Sequence, residues 1–209
     1  MRKVTTAPSD IENALYNEGV FHVAGVDEVG RGPLAGPVVA CAVVLPQGLV
    51  IEGVNDSKKI SEKRRLALAE EIKSKALGYA FSIVNAAEID RLNILQATMQ
   101  AMVMAVERVC RKVDARPQAV LVDGTTAPPL SFETRVICVP QGDAKSHLIA
   151  AASILAKVER DNIMIKFHES FPAYAWDKNK GYGTAAHMAA IREHGLTSAH
   201  RRSFTKGFL

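Results

Sequence analysis

The run Phe21-His22-Val23-Ala24-Gly25-Val26-Asp27-Glu28-Val29-Gly30-Arg31-Gly32-Pro33-Leu34-Ala35-Gly36-Pro37-Val38-Val39-Ala40-Cys41-Ala42-Val43-Val44-Leu45 decides the fold. Residues 21–29 and 37–45 read as two strands, rich in Val and bounded by a Gly/Pro turn over residues 30–36. The first strand runs out of apolar residues into an acidic pair. Alternation in a strand points Asp27 to one face of the sheet and Glu28 to the other. Gly30, Gly32 and Ala35 also match the spacing of a dinucleotide-binding turn, but that motif needs a helix to follow and receive the pyrophosphate. Here a strand follows, which disfavours a nicotinamide enzyme.

Two more apolar strands end in the same way. Val120-Leu121-Val122 runs into Asp123-Gly124, and Val136-Ile137-Cys138-Val139 leads to the loop containing Gly142-Asp143. One acid at a strand end is ordinarily a turn or cap residue. Three such ends in one chain point instead to a metal, because an ionised carboxylate beside a core costs several kcal/mol unless it is paired. A hard divalent cation takes oxygen ligands from several carboxylates and keeps waters for the rest.

Outward from these strands, the periodicities predict a short helix from Ser9 or Asp10 to Gly19, an amphipathic helix opened by Ser61, and a third strand over residues 78–85. One long helical stretch is expected over residues 86–113. Further strands are expected at 119–122 and 135–140, a helix from a Ser146 cap to about Phe171, and another over 184–194, before a basic, irregular end. Strand pairs followed by alternating helices and apolar strands make an α/β layered domain with a mixed sheet.

The whole chain is consistent with a folded protein that meets a polyanion. It has 209 residues, 48% hydrophobic and 23% charged, with a formal net charge of +4. The charge is unevenly placed. From Lys178 onward there are six Lys or Arg against one acid, Glu193, and Lys58, Lys59, Lys63, Arg64 and Arg65 form a second cluster. Either cluster could be a solvated face or a phosphate-binding one. Cys41, Cys110 and Cys138 are far apart in apolar runs, so neither zinc nor a disulfide framework is implied, and all three read as buried thiols. No apolar run is long enough to span a bilayer and no signal segment is evident, so a cytoplasmic location and no membrane partner are expected.

The motifs as a set resemble ribonuclease HII. They are the stretch from Gly25 to Pro37, Asn55-Asp56-Ser57-Lys58-Lys59, Leu121-Val122-Asp123-Gly124, Gly142-Asp143-Ala144-Lys145, the run from Ala151 to Asp161, Lys180-Gly181-Tyr182-Gly183-Thr184 and His200-Arg201-Arg202-Ser203-Phe204. The departures are mild: Val29 stands where Ala often follows the acidic pair, and Thr205-Lys206-Gly207 stands where Pro is common.

The resemblance implies a ribonuclease H-like mixed sheet flanked by helices, with a C-terminal helical extension. The expected organisation is an N-terminal extension over 1–20, a catalytic domain over 21–175 and a basic C-terminal segment over 176–209. It also implies catalytic and metal-binding roles for Asp27, Glu28, Asp123 and Asp143, with Mg²⁺ or Mn²⁺ as cofactor. Two-metal hydrolysis of a phosphodiester would follow. Backbone groups of Gly30, Arg31 and Gly32 would read the ribose 2′-hydroxyl, and Tyr182 would stack on the neighbouring deoxyribose. Ser57, Lys58, Lys59 and Arg201 are further candidates for phosphate contact. The expected substrate is nucleic acid, either an RNA–DNA hybrid or duplex DNA with embedded ribonucleotides. It would be cut 5′ to the ribonucleotide to leave 3′-hydroxyl and 5′-phosphate ends. A monomer is expected.

Overall fold

The computed structural model describes residues 5–207. Five strands form one sheet: β1 (Val23–Val29), β2 (Val38–Val44), β3 (Gly78–Val84), β4 (Ala119–Asp123) and β5 (Arg135–Val139), in the order β3-β2-β1-β4-β5. The first three pair antiparallel, while β1–β4 and β4–β5 are parallel. The α/β class and the mixed sheet are therefore as the patterning predicts.

Alternation sorts the strand residues between two helical layers. Ala24, Val26, Ala40, Ala42, Val120 and Val122 pack in one core with Ala101, Met102, Ala105 and Val109 of α4 (Ile94–Val113). Val23, Cys41, Val43, Ala119 and Leu121 face the other way, onto Leu148, Ile149, Ala152 and Leu155 of α5 (His147–Ser170). By the same parity Asp27 and Asp123 belong to the α5 face, and Glu28 to the α4 face. The parallel register Val26↔Val122 sets Asp27 and Asp123 side by side, one residue further on.

The approach of α5 to β1 depends on Gly25. A Cβ built there would fall 2.5 Å from the carbonyl oxygen of Leu148 and 2.6 Å from its Cβ, so only glycine lets the helix start lie against the strand. The N-terminal residues brace the same point. Glu12 of α1 (Asp10–Asn17) is buried and accepts from Ser146 Oγ at 2.6 Å and from the Leu148 amide at 2.9 Å. A carboxylate there satisfies a free amide at the positive end of a 24-residue helix.

Beyond α5 the chain returns over the turn that joins β1 to β2. Leu34 and Ala35 of that turn form a third apolar cluster with Met164, Tyr174, Trp176, Ala190, Ile191 and Ala199. The helical extension here comprises α6 (Trp176–Asn179), α7 (Ala185–His194) and α8 (Arg202–Thr205). α6 falls between the expected helices, where no element is predicted, and α8 in the stretch that reads as irregular; at four residues each, they are too short to show a period.

Three other expectations need correction. The stretch over 86–113 is two helices, α3 (Ala86–Leu92) and α4, because Asn93 has φ 69° and its side chain caps α4 by accepting from the Gln96 amide. β1 begins at Val23, since the Phe21 and His22 amides both donate to the Gln118 side-chain oxygen rather than to the ladder. Of the three thiols only Cys41 is buried; Cys110 and Cys138 are half-buried. α2 (Glu62–Lys75) is capped by Ser61 as expected.

A Gly25→Ala change is expected to lower stability by about 1–3 kcal/mol, the usual cost of overpacking a closed core. Urea unfolding followed by the fluorescence of Trp176, the only tryptophan, checks it. An unchanged midpoint would mean that α5 does not depend on this contact.

Candidate active site

The carboxyl ends of β1 and β4, with the loop after β5, bring four acids into one region. Asp27 is 5% exposed, and its Oδ1 accepts from the Glu28 amide at 2.7 Å. Asp123 accepts from the Gly142 amide at 2.6 Å, which ties β4 to the loop that carries Asp143. That loop is a single 3₁₀ turn (Gly142–Ala144), and Asp143 in it is buried. A groove of about 600 Å³ is lined by Asp27, Glu28, Asp123, Ser57, Lys58 and Tyr182, together with Ser153 and Lys157 of α5.

The acids disturb one another. Burial holds the Asp27 carboxyl well above the usual range, and the charges of Glu28 and Asp123 push the same way, against hydrogen bonds from Ser153 and the Glu28 amide. Glu28 is also raised by burial, with Arg31 opposing and Asp123 adding to it. Asp143 is raised by burial and by Asp56 and Asp123, with Lys58 opposing. Such crowding favours protonation unless a cation intervenes. Among the described residues, no three His, Cys, Asp or Glu side chains converge as a closed metal cage would. The donor set is carboxylate oxygen opening on a groove. It fits Mg²⁺ or Mn²⁺, ions completed by water and substrate phosphate rather than by protein alone.

The remaining predicted residues divide. Lys58 is 80% exposed at its side chain, with Nζ 3.9 Å from Asp143; Lys59 is turned to Asp56 at 3.5 Å. Arg31 reaches back to Glu28 at 3.4 Å. Tyr182 is an exposed aromatic at the groove, and a Cβ built on Gly32 would lie 3.9 Å from its ring. Ser57 lines the groove but is largely buried, its hydroxyl 3.0 Å from that of Ser153. Arg201 contradicts its expected phosphate contact. It is fully buried, and its guanidinium donates to the carbonyls of Gly36, Arg31 and Gly30 at 2.9, 2.9 and 2.5 Å.

Sequence reasoning missed Ser153, Lys157 and Arg160. They lie at positions i, i+4 and i+7 of α5, a polar stripe along one face of the helix. Lys157 is anchored by Asp161 at 2.7 Å, and Asp161 in turn lies 3.7 Å from Arg65. Arg160, also fully buried, donates to the carbonyls of Pro37, Lys180 and Ala35. Burial and the neighbouring Arg160 push Arg201 down to about 9.

The match to known proteins agrees with this geometry. The family model described as Ribonuclease HII matches residues 24–207. The chain belongs to the ribonuclease HII family. Members are hydrolytic endoribonucleases. Ribonuclease HII of Caldanaerobacter subterraneus subsp. tengcongensis is 47% identical over 198 residues, covering 95% of this chain and 80% of that one. Among solved structures, ribonuclease H2 from Pyrococcus horikoshii aligns with a TM-score of 0.70 at 27% identity, over 87% of this chain and 92% of that chain. Bst-RNase HIII, solved in complex with Mn²⁺, shares the fold at a TM-score of 0.69 and 18% identity, over 94% of this chain and 70% of that chain. Among the described residues no helix is long and apolar enough to cross a membrane.

The buried histidines near the C-terminus, His187 and His200, support Tyr182. His187 Nδ1 lies 2.9 Å from the Tyr182 carbonyl, and its Nε2 is within 3.0 Å of Trp176 Nε1 and 3.2 Å of His200 Nε2. The Thr197 amide donates to His200 Nδ1. The contacts assign one neutral tautomer to each ring: His187 donates from Nδ1 and shares its Nε2 lone pair between Trp176 and His200, while His200 accepts at Nδ1 and donates from Nε2.

Burial and the neighbouring His187 push His200 down to about 4, and burial lowers His187 as well. These groups are neutral when folded, whereas unfolded histidines take up protons near pH 6.5. Their contribution is therefore intact above about pH 6.5 and is lost progressively as pH falls toward 4. Between those limits the wild type should lose more stability than a His200→Gln variant, as read by denaturant midpoints. Parallel losses would mean that the pair stays neutral in the unfolded chain or charges in the folded one.

Proposed function

We propose that this protein hydrolyses the RNA strand of RNA–DNA hybrids and cuts 5′ to single ribonucleotides embedded in duplex DNA, leaving 3′-hydroxyl and 5′-phosphate ends. The observation that carries the reading is the shared groove. The carboxylates at the ends of β1 and β4 open onto the same space as Tyr182, next to the glycine turn. Chemistry and sugar recognition then act on one nucleotide.

Asp27 and Asp123 would hold the divalent cation, with Glu28 and Asp143 completing its carboxylate shell. Mg²⁺ or Mn²⁺ bound there supplies Lewis-acid polarisation of the scissile phosphate and a more acidic water. Everything else is done by the chain. Lys157 and Lys58 place positive charge at the groove beside the acids, where a phosphate backbone must pass. The exposed Arg31–Gly32 backbone offers amide donors without side-chain bulk, suited to a 2′-hydroxyl, the group that separates RNA from DNA. The Tyr182 ring offers a flat apolar surface to the adjoining deoxyribose. The protein would act as a cytoplasmic monomer on nucleic acid, without a membrane partner.

The experiment is cleavage of an end-labelled DNA duplex carrying one ribonucleotide, with Mg²⁺, with Mn²⁺ and with chelator, beside an all-DNA duplex. Cutting is expected only on the ribonucleotide strand, on its 5′ side, and only with metal. Partners that merely orient a metal ligand are usually worth about 10–100-fold. Asp123→Asn should therefore cost more than about a hundredfold. Equal cutting of all-DNA duplex would replace the reading with a general nuclease, and metal-independent binding without cutting would replace it with a binding module.

A further inference from the structure

We propose that Arg201 and Arg160 are positioning residues for ribose recognition: they hold the Gly30–Gly32 turn so that its Arg31 and Gly32 amides face the substrate. This rests on the groove's reading as a ribonucleotide site. The two guanidiniums are fully buried and between them engage six backbone carbonyls, those of Gly30, Arg31, Ala35, Gly36, Pro37 and Lys180. Among the described residues neither forms an ion pair; the nearby carboxylate of Asp161 is engaged by Lys157 and Arg65. Two such charges at this depth are costly, and a fully apolar filling would ordinarily be at least as stable. Stability alone therefore does not account for them.

Peptide geometry does. A trans peptide is planar, with its N–H antiparallel to its C=O, and the described residues contain no cis bond. Arg201 draws the Gly30 and Arg31 carbonyls inward. The amides of Arg31 and Gly32, the other halves of those two peptides, must then point outward. Both residues are exposed. A cation at the carbonyl also polarises the peptide and strengthens its N–H as a donor.

The same pair sets the distance to Tyr182. Arg160 spans from the turn, at Pro37 and Ala35, to Lys180, two residues before the tyrosine. The Leu34 amide donates to the Gly181 carbonyl at 2.8 Å, and the Arg201 amide donates to the Leu34 carbonyl at 2.8 Å. Gly30 has φ +96°, and a Cβ there would run into the Arg160 side chain and lie 2.6 Å from the Pro37 carbonyl. The turn is thus seated directly on the guanidinium. Glycine at 30 and arginine at 160 are parts of one support.

The test is equilibrium binding in Ca²⁺ to two duplexes that differ in one 2′-hydroxyl. The wild type should bind the ribonucleotide duplex more tightly. Arg201→Lys keeps the charge but cannot span three carbonyls, and should reduce that preference by about tenfold, the value of one good hydrogen bond to a polar group. Its all-DNA affinity should stay within about twofold. A wild type with no preference would defeat the functional reading itself. A wild type with a preference that Arg201→Lys retains would defeat only this proposal. Amide hydrogen exchange of the wild type tests the same point without a variant, should Arg201→Lys fail to fold. The Arg31 and Gly32 amides should exchange freely in the unbound protein and become protected by the ribonucleotide duplex but not by all-DNA duplex. Protection before binding, or equal protection by both duplexes, would overturn it.

Discussion

Mutual repulsion among carboxylates is the constraint around which this molecule is organised. Asp27, near the carboxyl end of β1, and Asp123, the last residue of β4, lie on neighbouring parallel strands whose preceding residues are buried, and the register leaves them side by side. Glu28 follows on the opposite face and Asp143 is brought in by the bond from Gly142 to Asp123. The folding free energy that seats β1 and β4 against α4 and α5 therefore also compresses negative charge. Such crowding raises the proton affinity of the acids, which a bound cation would relieve.

The positive charges show a complementary arrangement. Lys58 and Lys157 line the groove, where they can answer phosphate, whereas Arg160 and Arg201 are withdrawn beneath the glycine turn. Fixing that turn from behind by its carbonyls leaves its front free of side chains. The Trp176, His187 and His200 cluster does the corresponding work for Tyr182, bonding to its carbonyl and leaving its ring at the surface. The glycine turn and Tyr182 are both held through their backbones.

The strands and the acids are legible in the sequence because burial and alternation are written in residue type. A single Val-rich run that stops at Asp can be a simple turn, but three of them together point to a shared cation. Ser61 and Ser146 likewise mark helix starts by their chemistry. Arg201 escapes such reading for a physical reason. Its partners are carbonyl oxygens, which every residue carries, so nothing in the sequence separates a buried guanidinium from one that meets phosphate. The division at Asn93 is hidden because the residues on either side keep helical spacing, and only the positive φ breaks the axis. The α5 stripe of Ser153, Lys157 and Arg160 has helical spacing, but it runs among other polar residues of the helix, such as Glu159 and Asn162, and has no direction until the helix is packed.

If a divalent cation relieves the repulsion centred on Asp27, the melting temperatures of wild type and Asp27→Asn, each with and without Mn²⁺, must show it. A carboxylate raised in the folded state destabilises the fold above its unfolded pKa, so removing its charge should stabilise the metal-free protein near pH 7. Metal-free Asp27→Asn is expected to melt above wild type, by roughly 2–4 °C for each kcal/mol relieved, and Mn²⁺ is expected to raise wild type much more than the variant. A wild type unmoved by Mn²⁺, together with a variant that melts lower without it, would mean that the carboxylates are not held in repulsion and that no cation is needed to relieve them.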